Sequence, residues 1–491
     1  MMSVRTAAAW AIASQYASFA IQFVTSVVLA RYFITPADLG LFSIAFAAVS
    51  LISFVQDFGI TRYINGERDL TPDKVQTAFS VSAAFALAIA FIAILAAWPI
   101  AWFYGDTRLL PVTLVVASSY LMIPLAVVPQ ALCQRKLDYR SNTMIEVGSS
   151  IANASVAVLL AVRGYGALAL AGGAFAQQFA RMAVAQWRAG GLLPWPLGFG
   201  GAEPLLAIGK ATSISSICWT ITSRAPELVI GRLLSNVAVG LFSRAAGLAL
   251  QMRLLVSGAV TGVFYPAFRA VRDRGEPLGP PYLRVVAAYT GITWPAMAGI
   301  AALAWPLVDL LYGAKWLESA PLLVWVALAQ LGYVAVPLNG DMPVLLGRLP
   351  ALVKRNLFDT ALCVTLVLIA APFGLHWVPV AICAHALCAI PIYAPLMREM
   401  LGFAWRDLVM VWAKSAAVTL AAVAPVLASY ELFHGPQHAG IAQMLGGAGA
   451  GVLCWLVALR LTRHALYAEL ASMLGELRAA LFSRPAAASA K

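Results

Sequence analysis

The chain has 491 residues, of which 62% are hydrophobic and 11% charged, and its mean hydropathy is +0.83. This composition excludes a soluble globular domain and is typical of a membrane protein. The net charge of +12 is carried by short segments between apolar stretches, so it indicates membrane topology and no nucleic-acid partner.

Apolar stretches of about 20 residues, the length of helix that crosses ~30 Å of hydrocarbon, recur along the whole chain. The first stretch, Ala7 to Phe33, is too long for a cleaved signal peptide and contains Gln15, Gln22 and Arg31, so we expect it to be the first span. The pattern predicts an all-α membrane protein with about fourteen transmembrane helices, at 7–33, 37–57, 75–97, 109–132, 143–163, 166–187, 208–232, 237–267, 283–310, 319–341, 351–372, 377–397, 408–431 and 440–461.

The distribution of Lys and Arg predicts the orientation of these spans. Alternate segments between spans are rich in basic residues, whereas the opposite ends carry only Arg31, Arg108, Arg163, Arg232 and Lys315. By the positive-inside rule, both termini lie in the cytoplasm of a multi-pass protein of the cell inner membrane.

The two halves of the sequence resemble each other. Gly40-Leu41-Phe42-Ser43 is repeated as Gly240-Leu241-Phe242-Ser243, and Trp98-Pro99 with Tyr104-Gly105 as Trp305-Pro306 with Tyr312-Gly313. Such matches, in one order, indicate a duplicated unit of six helices, and an even number of spans makes the repeats parallel. We expect two six-helix lobes around a central cavity, as in alternating-access transporters.

The predicted domains follow from this repeat. They are an N-lobe at 1–190, a cytoplasmic linker at 191–207, a C-lobe at 208–400, two additional spans within 401–465, and an amphipathic cytoplasmic tail at 466–491. Leucines recur at helical spacing in the tail, which suggests a helix along the membrane surface; a continuation of the last span is the alternative.

Three segments of the sequence carry a family resemblance: Leu29 to Tyr32 with Asp38 to Phe42, Val239 to Ala245 with Tyr265 to Phe268, and Tyr312 to Glu318. They resemble the polysaccharide transporter family, the Wzx-type O-antigen and exopolysaccharide flippases. The family lies within the multidrug/oligosaccharidyl-lipid/polysaccharide exporter (MOP) superfamily, and the resemblance covers about residues 5–400.

The resemblance implies a flippase and not an enzyme. Its substrate would be an undecaprenyl-diphosphate-linked oligosaccharide, moved from the cytoplasmic to the periplasmic leaflet for O-antigen or exopolysaccharide biosynthesis. No cofactor or catalytic residue is expected, whereas H⁺ or Na⁺ coupling, membrane lipids and polymerase or co-polymerase proteins are expected partners.

Arginines inside spans are the first candidates for binding a diphosphate, because ionisable groups are costly there. Arg244 shares one face of the eighth span with Gly240, Gly247 and Gln251, and a guanidinium can hold diphosphate oxygens bidentately. A structural ion pair is the alternative role for Arg244. Arg253 lies about 180° around the same helix and ranks lower.

Other polar side chains extend this candidate site. Arg224 and Glu227 lie in a polar stripe of the seventh span, where they either face the substrate or neutralise each other. Arg31 lies at the outer end of the first span, and Gln15 and Gln22 share one face of that span. This face suits sugar hydroxyls or, alternatively, polar helix packing.

Acidic residues near the ends of spans are weaker candidates, for ion coupling. They are Glu227, Asp57, Glu146 and Asp359, and interfacial ion pairs are the alternative for those near basic residues. We expect no metal site: His434 and His438 flank a Gly-Pro pair, and the six cysteines show no CxxC spacing. Lone His385 is expected to be a hydrogen-bonded core residue.

Three other functions remain open. A drug/cation antiporter of the same superfamily needs an acidic cavity, which the intramembrane arginines disfavour. A membrane enzyme such as a polymerase or glycosyltransferase needs large external loops or DxD-like metal motifs, and the sequence has neither. A non-transporting partner in envelope assembly is the third alternative.

Overall fold

The computed structural model describes residues 4–53, 60–67, 69–136, 138–191, 194, 196–432, 435, 440–468 and 470. These residues form helices and no strand. The α-helices are α1 (Val4–Val28), α2 (Pro36–Ile52), α3 (Ile60–Gly66), α4 (Pro72–Tyr104), α5 (Leu109–Ser119), α6 (Ile123–Arg135), α7 (Tyr139–Val162), α8 (Ala167–Ala189), α9 (Glu203–Leu233), α10 (Asn236–Asp273), α11 (Gly279–Ala302), α12 (Ala304–Tyr312), α13 (Ala320–Ala335), α14 (Asp341–Leu345), α15 (Leu349–Ala370), α16 (Trp377–Leu401), α17 (Trp405–Leu432) and α18 (Ile441–Leu461).

Within the described chain, ten segments are helical, long enough and apolar enough to cross a membrane. They are Ala13–Phe33, Pro72–Tyr104, Leu109–Arg135, Tyr139–Val162, Gly279–Ala302, Ala314–Ala335, Leu349–Phe373, Trp377–Leu401, Trp405–Glu431 and Ile441–Leu461. The all-α membrane fold is therefore confirmed. The predicted second, sixth, seventh and eighth spans, which are not among these ten, overlap α2, α8, α9 and α10. Five of the eleven candidate site residues lie in α9 and α10, and the count of fourteen spans stays a prediction.

Local sequence explains where α2 begins. Thr35 is the N-cap: its side chain accepts a hydrogen bond from the backbone N–H of Asp38, and the Asp38 carboxylate accepts one from the backbone N–H of Thr35. Pro36 occupies the first turn, where its missing N–H is not needed. The first turn of α2 is thereby fixed in position, which matters because it contacts α10.

The chain packs as two compact units. Unit 1 comprises residues 1–244, 311–319 and 352–381, and unit 2 comprises residues 245–310, 320–351 and 382–491. The first two turns of α10 thus pack with α1, α2 and α9, while the rest of that helix packs in unit 2. The predicted lobe boundaries at 190 and 208 remain a prediction.

Within unit 1, the first turns of α2 and α10 cross with their backbones in contact. A Cβ atom at Gly40 would overlap the backbone carbonyl of Asn236, and one at Gly240 would overlap that of Pro36. The two glycines hold equivalent positions in the sequence repeat, so the crossing is reciprocal. Only residues without a side chain allow this approach.

The predicted linker is attached to α4. Thr77 donates to the carbonyl of Gly200 at 2.8 Å, and the backbone N–H of Gly198 donates to Ser80 at 2.9 Å. The Gln76 amide also donates to the carbonyl of Pro196. The described part of 191–207 therefore packs against α4, a helix of the predicted N-lobe.

The start of the predicted tail is anchored in unit 2. The helix α18 ends at Leu461, and the chain turns at Thr462 and Arg463, so the tail does not simply continue the last span. His464 is buried and bonds Ser415 at 3.1 Å. Burial lowers the pKa of His464 to about 4, so the ring is neutral at physiological pH. Residues 471–491, where most of the amphipathic pattern lies, are outside the described residues.

Candidate functional site

The Arg244 side chain is buried in unit 1, with only 8% of its surface exposed. Its NH1 atom donates to the hydroxyl of Ser26 on α1 at 2.7 Å. The guanidinium carbon lies 4.7 Å from the ring centre of Tyr312 and 4.9 Å from that of Trp316. We call Arg244, Ser26, Tyr312 and Trp316 the Arg244 cluster.

No ion pair involves Arg244 in the described part of the chain, and its Nε atom is buried without a hydrogen-bond partner there. The predicted structural ion pair is therefore not seen. Cation–π contact with two aromatic faces offsets part of the cost of burying the charge, by about 2 kcal/mol or more where the site is desolvated. The cluster is thus a buried cation held by two aromatic faces and by the hydroxyls of Ser26 and Tyr312.

Trp316 connects this cluster to an irregular turn of α1. Residues Leu29–Phe33 form a π-helical turn, in which the N–H of Ile34 bonds the carbonyl of Leu29 at 2.8 Å. The Nε1 atom of Trp316, which is fully buried, donates to the carbonyl of Ala30 at 2.9 Å. The tryptophan thereby satisfies a carbonyl within the π-turn.

The repeat explains why α1 carries this turn. Ala30-Arg31 in the first half of the repeat matches Gly231-Arg232 in the second, so the two arginines are 201 positions apart, whereas Gly40 and Gly240 are 200 apart. The first half thus has one more residue between these points, and a π-turn accommodates one additional residue in a helix. The extra residue lies beside the cluster, at a kind of turn that frequently marks functional sites.

The second polar group of unit 1 joins α9 to α10. Arg224 NH1 lies 3.4 Å from the Glu227 carboxylate, whose other oxygen accepts from Ser243 at 3.0 Å. The Arg224 guanidinium also lies 4.9 Å from the ring centre of Phe46. Arg224 and Glu227 therefore form an ion pair with each other, which was one of the two predicted alternatives; the other was that they face the substrate.

The remaining candidates are not gathered around Arg244. Arg31 is exposed on the π-turn, Gln15 is exposed on α1, and Gln22 donates to Ser150 of α7 at 3.3 Å. Gln251 and Arg253 are half-buried and belong to unit 2, where the Nε atom of Arg253 has no hydrogen-bond partner among the described residues. The site expected from the sequence is thus divided in the structure.

Among the acidic candidates for ion coupling, Glu146 has hydrogen-bond partners on two neighbouring helices. Its carboxylate accepts from Gln130 of α6 at 2.8 Å and from Arg181 of α8 at 2.9 Å. Asp359 is half-buried in α15, and Asp57 lies outside the described residues. An ion pair was the alternative expected for residues of this kind, and Glu146 forms one.

The described chain contains no group of three or more His, Cys, Asp or Glu side chains that could hold a metal ion. His434 and His438 lie outside the described residues. His385 is buried, and its Nδ1 atom lies 2.9 Å from the hydroxyl of Tyr333, so its assignment as a hydrogen-bonded core residue is confirmed.

The loop after α4 fastens the start of α10. The Asp106 carboxylate accepts from Asn236, the first residue of α10, at 2.8 Å and from Arg108 at 2.7 and 3.0 Å. The hydrogen bonds from Arg108 hold the pKa of Asp106 below its ordinary value. The charged carboxylate therefore stabilises the α2–α10 crossing at neutral pH.

Sequence reasoning missed the aromatic half of the cluster. Tyr312 and Trp316 were recognised as parts of a motif but were given no role, and neither Ala30 nor the π-turn was singled out. One signal was present: the offset between the repeats changes by one residue between Arg31 and Gly40. The structure shows that the motif segments Leu29–Tyr32, Val239–Ala245 and Tyr312–Glu318 meet in one place.

Comparison with known proteins identifies relatives of this chain. The chain is 26% identical over 348 residues to the succinoglycan biosynthesis transport protein ExoT of Rhizobium meliloti. The matched stretch covers 69% of this chain and 68% of the relative. It is 22% identical to the lipopolysaccharide biosynthesis protein WzxC of Escherichia coli over 399 residues, or 78% of each chain.

A solved structure of the lipid II flippase MurJ shares the fold. Its TM-score is 0.71 at 13% sequence identity, over 94% of this chain and 99% of the other. The model of the family described as polysaccharide biosynthesis protein matches residues 28–321, more than half of the chain, and includes all three converging segments. This chain is therefore a member of the polysaccharide biosynthesis protein family and a multi-pass membrane protein.

Proposed function

We propose that the chain is a flippase that moves undecaprenyl-diphosphate-linked oligosaccharides from the cytoplasmic to the periplasmic leaflet by alternating access. Arg244 is the observation that supports this most directly. A flippase must move a diphosphate through hydrocarbon, and a buried guanidinium that is not neutralised by a carboxylate is suited to an anion.

The surroundings of Arg244 define what must change for binding. The guanidinium is covered by Tyr312 and Trp316 in this conformation, so a diphosphate reaches it only when residues 311–319 move away from α10. Arg244 has no carboxylate partner among the described residues, so a bound anion would neutralise its buried charge. Arg224 and Arg31 are secondary contacts, because Glu227 already pairs with the first and the second is exposed.

The α2–α10 crossing supports alternating access. Arg31, Arg108 and Lys315 lie at the end of unit 1 that the positive-inside rule assigns to the periplasm, and the crossing lies at the same end. A closed periplasmic end with substrate loading from the cytoplasm is the state such a flippase needs before transport. Coupling to H⁺ or Na⁺, contacts with polymerase or co-polymerase proteins, and an inner-membrane location with cytoplasmic termini belong to the same proposal.

The functions for which its relatives are named favour polysaccharide substrates over drugs. ExoT and WzxC are described as proteins of succinoglycan and lipopolysaccharide biosynthesis. The antiporter alternative would need an acidic site for cations, whereas Glu227 and Glu146 are both paired with arginines. No observation favours the antiporter.

The test is polysaccharide export in cells that depend on this chain. Arg244→Ala should abolish export, and Arg244→Lys should retain part of it, because the charge is kept but the bidentate fork is lost. Arg163→Ala is the matched control, since Arg163 is exposed at the end of α7 and outside the proposed site. Normal export by Arg244→Ala, or a loss that follows the amount of protein in the membrane, would refute the proposed role.

A further inference from the structure

A row of polar side chains follows one face of α7, apart from the Arg244 cluster. Asn142, Glu146, Ser150 and Asn153 are spaced by four, four and three residues, which places them on one side of a helix. The row is about 16 Å long at 1.5 Å per residue, or about half the thickness of the hydrocarbon layer. We call these four residues the α7 polar ladder.

Three neighbouring helices contribute partners to this ladder. From α6, Gln130 donates to Asn142 at 3.0 Å and to Glu146 at 2.8 Å. From α8, Arg181 donates to Glu146 at 2.9 Å. The ladder is therefore a network across helices.

Two weaker hydrogen bonds complete the network at the end of the ladder that lies farther from the start of α7, which we call its inner end. Gln22 of α1 donates to Ser150, and Asn153 donates to Gln177 of α8, both at 3.3 Å. Bonds of this length are at the upper limit of good geometry and are readily replaced by bonds to a ligand. Ser150 is buried, whereas Asn153 and Gln177 are partly exposed, so Asn153 and Gln177 are the part of the ladder best able to accept a ligand.

The charge of the network indicates which ligand fits. Its only charged members, Glu146 and Arg181, neutralise each other, and the others are amides and a hydroxyl. A diphosphate gains little from such a surface and is repelled by the carboxylate. Sugar hydroxyls both donate and accept hydrogen bonds, as do the Asn, Gln and Ser side chains.

The Glu146–Arg181 pair of the ladder is partly exposed, whereas Ser150 is buried. The side chains of Glu146 and Arg181 are 31% and 28% exposed, so the pair is not sealed between helices. The Nε atom of Arg181 is buried without a hydrogen-bond partner in the described chain, which leaves one donor unused. A partly exposed ion pair near the end of a span indicates a polar, accessible face, because charged groups are costly where they face hydrocarbon.

We propose that the α7 polar ladder, with Gln130, Gln177 and Arg181, binds the sugar part of the substrate while Arg244 binds its diphosphate. This proposal rests on the proposed function and adds a second subsite to it. The ladder begins near the end of α7 that the basic residues Arg135, Lys136 and Arg140 place at the cytoplasm, where the glycan enters. The two subsites differ in chemistry, so they are separable by experiment.

The test compares lipids with and without sugar. The full-length protein, purified into lipid nanodiscs, is titrated with undecaprenyl diphosphate and with the same lipid carrying one glucose, galactose or N-acetylglucosamine. We expect at least one glycosylated lipid to bind about tenfold more tightly than the bare lipid, the effect of one or two hydrogen bonds.

Variants at the inner end of the ladder should remove this preference alone. Asn153→Ala and Gln177→Ala should bring the affinity ratio of glycosylated to bare lipid close to one, with unchanged affinity for the bare lipid. Arg244→Ala should lower the binding affinity for all the lipids by a similar factor. Ser155→Ala, an exposed position on the opposite face of α7, is the matched control and should keep both values.

The outcomes distinguish the two proposals. A wild-type ratio near one for all three sugars, or a ratio that both ladder variants retain, overturns the sugar subsite and leaves the Arg244 proposal standing. The absence of binding for every lipid overturns the proposed function, and the ladder proposal with it. Because the ratio is measured within one variant, partial loss of folded protein does not change it.

Discussion

The Arg244 cluster and the α7 polar ladder show two ways of placing polar groups among membrane helices. In the cluster, Arg244, Tyr312 and Trp316 are 8%, 2% and 0% exposed, and the cation is enclosed by aromatic rings. In the ladder, the ion pair of Glu146 and Arg181 is about 30% exposed and is surrounded by amides. Under the two proposals, the first is a charged site that must open to bind, and the second is a site without net charge whose ion pair is already partly exposed.

This difference teaches how a single chain can treat the two parts of an amphipathic substrate separately. A diphosphate needs positive charge, which is selective only if water and carboxylates are kept away from it. A glycan needs many weak hydrogen bonds, which water does not prevent. The following changes break or sharpen that contrast, beginning with the largest expected effect.

The α2–α10 crossing should be the least tolerant point of the closed cluster. Gly240→Ala places a Cβ against the backbone of α2, which cannot rotate away, so we expect a loss of about 3 kcal/mol of stability or a failure to accumulate. Thermal unfolding of the purified variant measures this. Gly299→Ala in α11 is the control, because its Cβ would meet no atom within 4 Å.

A stable Gly240→Ala protein with normal export would show that the backbones need not touch. Thermal unfolding of the Gly40→Ala variant tests the same contact from α2. Because the crossing is reciprocal, the two substitutions should have similar effects, and the α7 polar ladder should keep its sugar preference in any folded variant.

Trp316→Phe sharpens the account of the cluster. The phenyl ring preserves an aromatic face for Arg244 but removes the Nε1 donor, which leaves the carbonyl of Ala30 buried without its partner. We expect the free energy of unfolding to fall by about 2 kcal/mol, measured as a lower midpoint of unfolding. Trp219→Phe is the matched control, because that side chain is 67% exposed on α9, and an equal loss in the control would contradict the assigned role.

The ladder should respond more weakly, through the Glu146–Arg181 pair. Glu146→Gln, Arg181→Gln and the double variant define a thermodynamic cycle, from which we expect a coupling energy of about 1 kcal/mol. The small value follows from the exposure of both side chains. A coupling above about 3 kcal/mol would instead indicate a sealed structural ion pair and would weaken the contrast with the cluster.

The sequence drew attention to one charged member of each region, Arg244 in the cluster and Glu146 in the ladder, because ionisable residues stand out in apolar helices. The contact of Arg244 with Ser26 joins residues 218 positions apart, and that of Trp316 with Ala30 joins residues 286 apart. Helical periodicity carries no information on such pairings, since they depend on how helices assemble.

The aromatic residues were missed for a physical reason. In a chain with this many apolar residues, Tyr312 and Trp316 are indistinguishable by composition from core or lipid-facing side chains. Only the position of a cation beneath them reveals their role. The amides Asn153 and Gln177 were overlooked because single polar residues in membrane helices are usually taken as packing contacts.

Direct measurement of translocation tests the central claim, that Arg244 serves the movement of a lipid-linked diphosphate. The purified chain is reconstituted into liposomes with undecaprenyl-diphosphate-linked oligosaccharide, and lipid in the outer leaflet is detected with a membrane-impermeant reagent that modifies the glycan. We predict that wild type makes the inner-leaflet pool accessible, that Arg244→Lys does so slowly, and that Arg244→Ala leaves it protected. Equal rates for wild type and a folded Arg244→Ala protein, or no movement by wild type, would contradict the account.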